Sequence, residues 1–499
     1  VLVDLIAYKY KGKKAMKNPP PFPQMPNEEE QRRVEHQALR RRLVMGTYEK
    51  DLEEEMLRHF STDRYMALGP IDMSSNVLEQ ITRQLAVLYN SAPTVHNQED
   101  ISALTGSDGF VTNAGLFPLM QQAQQFILAI NECFVRIDVA PHKIGQPTNN
   151  AGLNYRIVTP DYTYCEASPD TPDEPTYYRE IRLRIDPVSN EPVFVADVMD
   201  IRNPDEPLFG MYEVNHDGTL GDDVSEKYMG HATHRGDDYP YKYADGRPFL
   251  PVELYHAQKT GLLWNTYRNA QTAYGSLVAS VLTSMGVHLI RDCSYPQRYV
   301  AGLSISGLGV ENGDLTARRA AIATDPSSIL MFYSDPENTG QPLVGQFEPG
   351  ADPVKMFETI AQYEYKVATA AGLSSSVLKQ TADIRSGFSL SVSRDGQRQA
   401  AARHAPLQSF YDERLLAKSA ALCNRFLGTN LPENNYRIQY AQVPQSPEEI
   451  KETREDVLAK MAAGLLSPIQ AMQILNPGID ENTAREMLLK IKRERIELM

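Results

Sequence analysis

Residues 343–380 read LVGQFEPGADPVKMFETIAQYEYKVATAAGLSSSVLKQ. Asp352-Pro353 is a strong helix start, an acid at the N-cap followed by proline at the first helical position, where a missing N–H is harmless. From there Met356, Ile360, Tyr363 and Val367 share one side of a helix predicted over 353–371. Gly372 supplies the stop. The following SSSVLKQTADIRSG (374–387) is polar and has no helical period. A much longer helix is then expected from about Phe388 to Leu427, closed by Gly428 and kinked at Pro406.

Upstream, residues 291–350 are rich in Gly, Ser and Pro and carry short β-like runs such as ILMFY (329–333). A helix is predicted before them, over 262–288. Its stretch from Asn269 to Ile290 is uncharged yet holds Asn, Gln, Thr, Ser and His throughout, which makes it a poor membrane span. A helix packed against neighbouring copies in an assembly is expected instead, and no membrane partner. Between about 155 and 250 the period changes to two. Ile181, Leu183 and Ile185 share one face, and Glu180, Arg182 and Arg184 the other. The turn PVSNEP and the run VFVADV (193–198) complete an antiparallel hairpin with one wet face.

Nearer the start, NPPPFPQMP (18–26) reads as an extended linker. Helices are predicted over 28–59, broken near Gly46, over 77–90 and over 115–132, with a strand at 133–139. At the other end, Ser446-Pro447-Glu448-Glu449 is a capping box with proline at the first position, and Ser467-Pro468-Ile469-Gln470 caps a second short helix. A third helix is expected over about 481–497, so the C-terminal part reads as three short helices. The fold class is α+β, in several domains, as the length of 499 residues also requires.

The net charge of −14 is uneven. Residues 161–250 hold 20 acids against 8 bases, whereas 379–428 hold 8 bases against 4 acids. The overall acidity argues against a chain that grips nucleic acid over most of its surface, and the acidic block reads as solubility and repulsion at a periphery. Cys133, Cys165, Cys293 and Cys423 are far apart in sequence and are read as free thiols. The opening VLVDLIAYKYKGKKAMK puts its apolar patch before its lysines, the reverse of a secretory signal.

Motifs for catalysis are missing. GxxxxGK[ST] does not occur, which excludes a P-loop ATPase. Gly307, Gly309 and Gly313 miss the dinucleotide spacing. His231 and His234, near Asp237 and Asp238, make a weak metal pattern better read as a solvated loop. GxSxG is absent, and no cysteine sits in a catalytic signature. No cofactor, metal or enzymatic role is expected. Arg394, Arg398 and Arg403, on the long helix, are candidates for phosphate or inter-subunit contacts.

The order helix, β-containing insert, helix, polar segment, long helix resembles the central part of tailed-bacteriophage portal proteins, the head-to-tail connectors. The passage 343–380 resembles clip to stem to tunnel loop. SGFSLSVSRDGQRQAAARHAPLQSFYDERLLAKSAALCNRFLG (386–428) resembles the wing helix. MAAGLLSPIQAMQILNPGIDENTAREMLLKI (461–491) resembles the helical crown. The ordered match covers about 250–499. The resemblance implies an N-terminal arm (1–26), a wing (27–261) with an antiparallel β subdomain, stem helices (262–290 and 351–371) flanking an α/β clip (291–350), a tunnel loop (372–387), a wing helix and return (388–442) and an all-helical crown (443–499).

It also implies a homo-oligomeric ring, a dodecamer, at one vertex of a virion capsid, assembled in the host cytoplasm. Double-stranded DNA would pass through its channel in packaging and ejection. The large terminase, then a head–tail adaptor, would dock on it, and the major capsid and scaffolding proteins would be its neighbours. Lys379, Gln380, Asp383 and Arg385 become tunnel-loop candidates facing DNA, and Glu358 and Glu364 channel-lining candidates. Alternatives are another head or baseplate protein, or a nucleic-acid-processing enzyme with scattered carboxylates.

Overall fold

The structure is a computed structural model. It describes residues 22–62, 65, 71–140, 152–294, 297–301, 303–304, 333–334, 343–347, 352–370, 387–441, 447–476 and 481–497. The fold is α+β, with antiparallel sheets and long helices. The chain divides into two compact units. One comprises Val1–Val34, Thr82–Thr266 and Gly372–Met499, and the other Glu35–Ile81 and Tyr267–Ala371.

In the first unit the period-two sequence builds two sheets. Glu132–Ala140 lies between Val252–His256 and Gly152–Val158 in a three-stranded antiparallel sheet. Thr163–Ser168, Thr171–Ile185, Pro192–Asp200, Leu208–Val214 and Leu220–Asp223 follow in sequence order in a second sheet, and His234–Arg235 pairs with Leu208–Val214. The expected hairpin is present, with Ile181 opposite Ala196 and Leu183 opposite Phe194. Phe134, Cys165, Tyr178, Met199 and Leu254 meet in one apolar cluster. Cys133, Cys165 and Cys423 are buried free thiols.

The face of that hairpin expected to be wet is covered. Glu180 and Asp197 are buried, and Arg182 is half-buried. The reason lies on the smaller sheet. Arg136 donates to Glu180 (2.8 Å) and Asp197 (2.7 Å) through one Nη, and its Nε reaches Asp138 at 3.0 Å. Arg156 bonds both Asp138 (2.9 Å) and Glu180 (2.8 Å), and Arg182 pairs with Asp197. Three guanidinium groups thus face three carboxylates. Burial alone would raise the Glu180 pKa, but Arg136, Arg156 and Arg182 together hold it at about 2. Part of the acid in 161–250 is therefore internal, a correction to its reading as peripheral charge.

The N-terminal residues of this unit are docked. Phe22 packs edge-on against Tyr162 and Phe194, Gln24 N–H donates to His216 O at 3.0 Å, and Met25 is buried. Gly218, at φ +80°, forms the turn beneath them, and a Cβ there would fall 1.9 Å from Gln24 O. The end of the proline-rich linker is thus a strap on the sheet. Arg33, on the helix Glu28–Val44, stacks 4.3 Å from Trp264 and donates to Pro160 O and Thr163 O.

The long helix spans Gly387–Leu427, contains Pro406, and ends at Gly428 with φ +67°. It meets the smaller sheet through polar anchors. Lys418 Nζ donates to Val252 O and to Glu253, each at 2.6 Å. Tyr155 donates to Ser419 at 2.8 Å. Asp412 is buried and accepts hydroxyls from Tyr255 (2.8 Å), Tyr89 (2.9 Å) and Tyr440 (2.7 Å). The helix predicted over 77–90 ends at Leu85, and two residues beyond it have tertiary partners: Leu88 N–H donates to Gln124 and Tyr89 to Asp412. The return chain places Arg437–Gln439 antiparallel to Thr94–His96.

Removing one member of the arginine–carboxylate cluster leaves a buried charge uncompensated. Arg136→Met is expected to lose about 3–5 kcal/mol of unfolding free energy, read by chemical denaturation; a loss no larger than that of an exposed Arg→Met control would contradict the account. Asp412 carries the opposite linkage. Burial raises its pKa to about 6, with the three tyrosine hydroxyls opposing. Its contribution to stability is therefore full below the ordinary carboxylate pKa and is lost as pH rises through about 6. Compared with Asp412→Asn, the parent chain should gain melting temperature as pH falls through that window. A difference independent of pH would contradict it.

Candidate functional site

The second unit is built around Ala270–Ser294, a helix that starts after Asn269 at φ +56°, later than predicted. Ser276, Ser280, Thr283 and Ser284 recur at i, i+4, i+7 and i+8 and are buried. Each hydroxyl donates to the carbonyl four residues back, at 2.9–3.0 Å. Their oxygens stay free to accept from, or share a proton with, other segments. Leu78 N–H donates to Ser276 (2.9 Å), Asp72 N–H donates to Ser284 (3.0 Å), Ser75 and Thr283 share a bond of 2.7 Å, and Tyr48 meets Ser280 at 3.2 Å. These polar positions are satisfied within the chain. The polar character of the stretch is thus used inside the chain. By length and composition alone the helix could cross a bilayer.

A second face holds Gly275 and Gly286, eleven residues or about three turns apart. Against them runs Pro353–Ala370, capped as predicted by Asp352, whose carboxylate accepts from Val354 N–H at 3.0 Å. A Cβ on Gly275 would lie 2.8 Å from a Val367 methyl carbon, and one on Gly286 would lie 3.0 Å from the Phe357 ring. The antiparallel pair is therefore close because both contacts lack side chains. Beyond the hydroxyls, Val287 and Ile290 continue the same side of the helix and are exposed, whereas Tyr274 lies on the opposite side and donates to Glu55 at 3.0 Å.

The pair continues into strands. Gln297–Ala301 runs antiparallel to Leu343–Phe347, with Gln297 opposite Phe347 and Ala301 opposite Leu343. The insert between them thus leaves and returns at one place. Within it Leu303–Ser304 pairs with Tyr333–Ser334; the rest of ILMFY lies outside the described residues. Charge on the pair is sparse. The first helix is neutral over 269–290, and the second carries Lys355 and Lys366 against Glu358 and Glu364.

Glu358 is exposed and Glu364 half-buried. Six residues of helix put them about 120° apart, so they do not share a face. Arg403 is exposed and Arg398 half-buried. Lys379, Gln380, Asp383, Arg385 and the side chain of Arg394 lie outside the described residues. His231 and His234 place their rings 4.3 Å apart, and His234 stacks on Phe209. No group of three His, Cys, Asp or Glu side chains converges as a metal site among the described residues. A cavity of about 290 Å³ in the first unit is lined by Asp173, Glu174, Glu253, Lys259, Arg414 and Lys418. Their charges are paired with one another, as in Lys259–Asp173 at 2.7 Å and Lys418–Glu253 at 2.6 Å. The hydroxyl stripe and the two glycines were overlooked in the sequence, although both stand there at helical spacing.

No protein-family model matches the chain, and no curated protein does. Solved structures show similarity. A chain from the neck of an empty GTA particle, computed with C6 symmetry, is 13% identical with a TM-score of 0.38, covering 80% of this chain and 88% of that one. One from the neck of a native GTA particle, computed with C12 symmetry, is 12% identical with a TM-score of 0.37, covering 80% and 89%. One from the virion of a native gene transfer agent particle is 12% identical with a TM-score of 0.35, covering 82% and 92%.

The glycine contacts predict a rescue. Gly275→Ala should destabilise the chain by about 1 kcal/mol, overpacking against Val367 outweighing the helix-propensity gain. Gly275→Ala with Val367→Ala should recover more than the two single changes sum to. Additivity in a denaturation cycle would contradict close packing there.

Proposed function

We propose that this chain is the subunit of a portal ring at one vertex of a phage-like capsid, a non-enzymatic conduit through which double-stranded DNA is packaged and ejected. The observation that carries the reading is the second unit's helix pair. Two antiparallel helices in close contact run on into paired strands, so a long insert is held at one end of a stiff stalk. The polar stretch 374–387 and a 41-residue helix follow in sequence. This is the order that the resemblance to portal proteins rests on.

In this reading the insert docks the large terminase and later a head–tail adaptor. The helix pair is the stem, 372–387 the tunnel loop, and 443–499 the crown. The stem's balance of two lysines and two glutamates suits a wall that neither binds nor strongly repels a polyanion. Lys379 and Arg385 would meet phosphate without reading sequence, and Arg398 and Arg403 would serve subunit contacts. The exposed Val287 and Ile290, which share one side of the helix, offer a surface to a neighbouring stem.

Native mass spectrometry and negative-stain imaging test this directly. A closed ring of one chain with a central hole is expected, a dodecamer in the particle. A monomer or dimer at every ionic strength would overturn it. Deleting 376–386 should leave the ring intact and impair DNA packaging or retention, and a failure to assemble would instead make that segment structural.

A further inference from the structure

Two buried carboxylates of the first unit are held in opposite ways. Glu180 faces three guanidinium groups, whereas Asp412 faces three hydroxyls. Tyr255 donates to one oxygen of Asp412 at 2.8 Å, and Tyr89 (2.9 Å) and Tyr440 (2.7 Å) both donate to the other. The groups around them bring no positive charge. Glu413, the next residue, adds a negative one. Tyr411 meets His256 Nδ1 at 3.0 Å, and burial lowers the His256 pKa. Arg414 and Lys418 are engaged by Glu174 and Glu253. Among the described residues, no lysine or arginine pairs with Asp412.

Ionised, the carboxylate accepts all three hydroxyls, but its charge stays buried without a counter-charge. Neutral, it carries an O–H of its own. Tyr89 and Tyr440, whose hydroxyls lie 3.4 Å apart on the shared oxygen, can take that proton's bond and pass one on. Burial therefore wins over the hydroxyls and raises the pKa to about 6.

Of the three walls, Tyr440 is the loosest. Tyr255 lies inside the strand Val252–His256 and Tyr89 follows Leu88, which is tied to Gln124; both tyrosines are buried. Tyr440 is half-buried between the exposed Gln439 and Ala441. Upstream, residues 431–436 are fixed by other partners: Leu431 N–H donates to Asn424 at 2.6 Å, Tyr436 to Pro432 O at 2.6 Å, and Ala244 N–H to Glu433 at 2.8 Å. Between them and Tyr440 stands a three-residue ladder, Arg437–Gln439 on Thr94–His96, with exposed residues at both ends of each strand. Beyond Tyr440 the chain leads to the C-terminal helices Pro447–Ala462, Pro468–Leu475 and Glu481–Glu497.

We propose that Tyr440 is a proton-operated latch: it closes over Asp412 while the carboxyl is neutral, and ionisation favours its displacement, which admits water to the carboxylate and frees residues 437–441. The latch lies within one chain and needs no second copy. Its sign follows from the raised pKa. The closed form is tightest below the ordinary carboxylate range, and each unit of pH from about 4 to about 6 should multiply the opening constant about tenfold, after which it levels off. His256 acts in the other sense, because a lowered pKa costs the closed form stability as pH falls.

Hydrogen exchange of the full chain, read by mass spectrometry and corrected for the pH dependence of free peptide, tests this from about pH 4 to pH 8. Protection of 437–441 should fall about a hundredfold between about pH 4 and pH 6 and then hold, while 431–436 and 252–256 keep theirs. Asp412→Asn should remove the slope. Tyr440→Phe, which keeps the ring and the buried carboxylate, should lower protection at 437–441 alone and extend the slope to higher pH, since one opposing hydroxyl is gone. Protection that rises with pH overturns the latch, because the hydroxyls then outweigh burial. So does an equal slope in Asp412→Asn, or a parallel fall throughout the first unit, which is global unfolding. Should Asp412→Asn fail to fold, Tyr440→Phe decides: a profile identical to the parent's overturns the latch.

Discussion

Arg136 and Arg156 stand directly opposite each other on neighbouring strands. Like charges in that register repel, and burial sharpens the repulsion. The geometry holds because Asp138 and Glu180 each bridge both arginines, while Asp197 takes a further bond from Arg136 and the Arg182 guanidinium. The two sheets of the first unit therefore meet through a neutralised ionic layer next to an apolar one, where Phe134 and Tyr178 lie ring to edge. Glu180 and Asp197 fix the height at which strands of the larger sheet meet the smaller one, while Asp138 holds the two arginines together within the smaller sheet.

The long helix follows the same rule. Its inward face carries Gln408, Asp412, Lys418 and Ser419 among leucines and alanines, and partners from three other stretches of chain converge on Asp412. The return chain ends at Tyr440 on that carboxylate. The sheet, the helix and the segment leading toward the C-terminal helices are thus tied at one buried oxygen pair.

Much of the chain's order could be read from its residues. Gly46, Asp352-Pro353, Gly428 and Ser467-Pro468 mark helix ends because local backbone chemistry decides them. Period two found the hairpin at 181–198, and the structure supplies its register. What eluded the sequence depended on distant partners. The pattern at 180–184 shows a charged face but not the sheet that buries it. Leu85 ends its helix where the next residues are taken up by Gln124 and Asp412, far along the chain. Of the candidate site, the stalk's two helices were legible, while the close approach at Gly275 and Gly286 required knowing what lies opposite them.

The hydroxyl stripe on 270–294 has a mechanical side. Apolar contact is non-directional and gives no group one required partner. Hydrogen bonds from Leu78 to Ser276 and from Asp72 to Ser284, with the shared bond between Ser75 and Thr283, differ, because each has a single partner at a single height. A force along the helix axis loads these bonds side by side, so they yield together and not one after another. The segment 72–78 and the helix therefore resist shear as one body. A pull across the axis would meet them in turn and open them at a lower force.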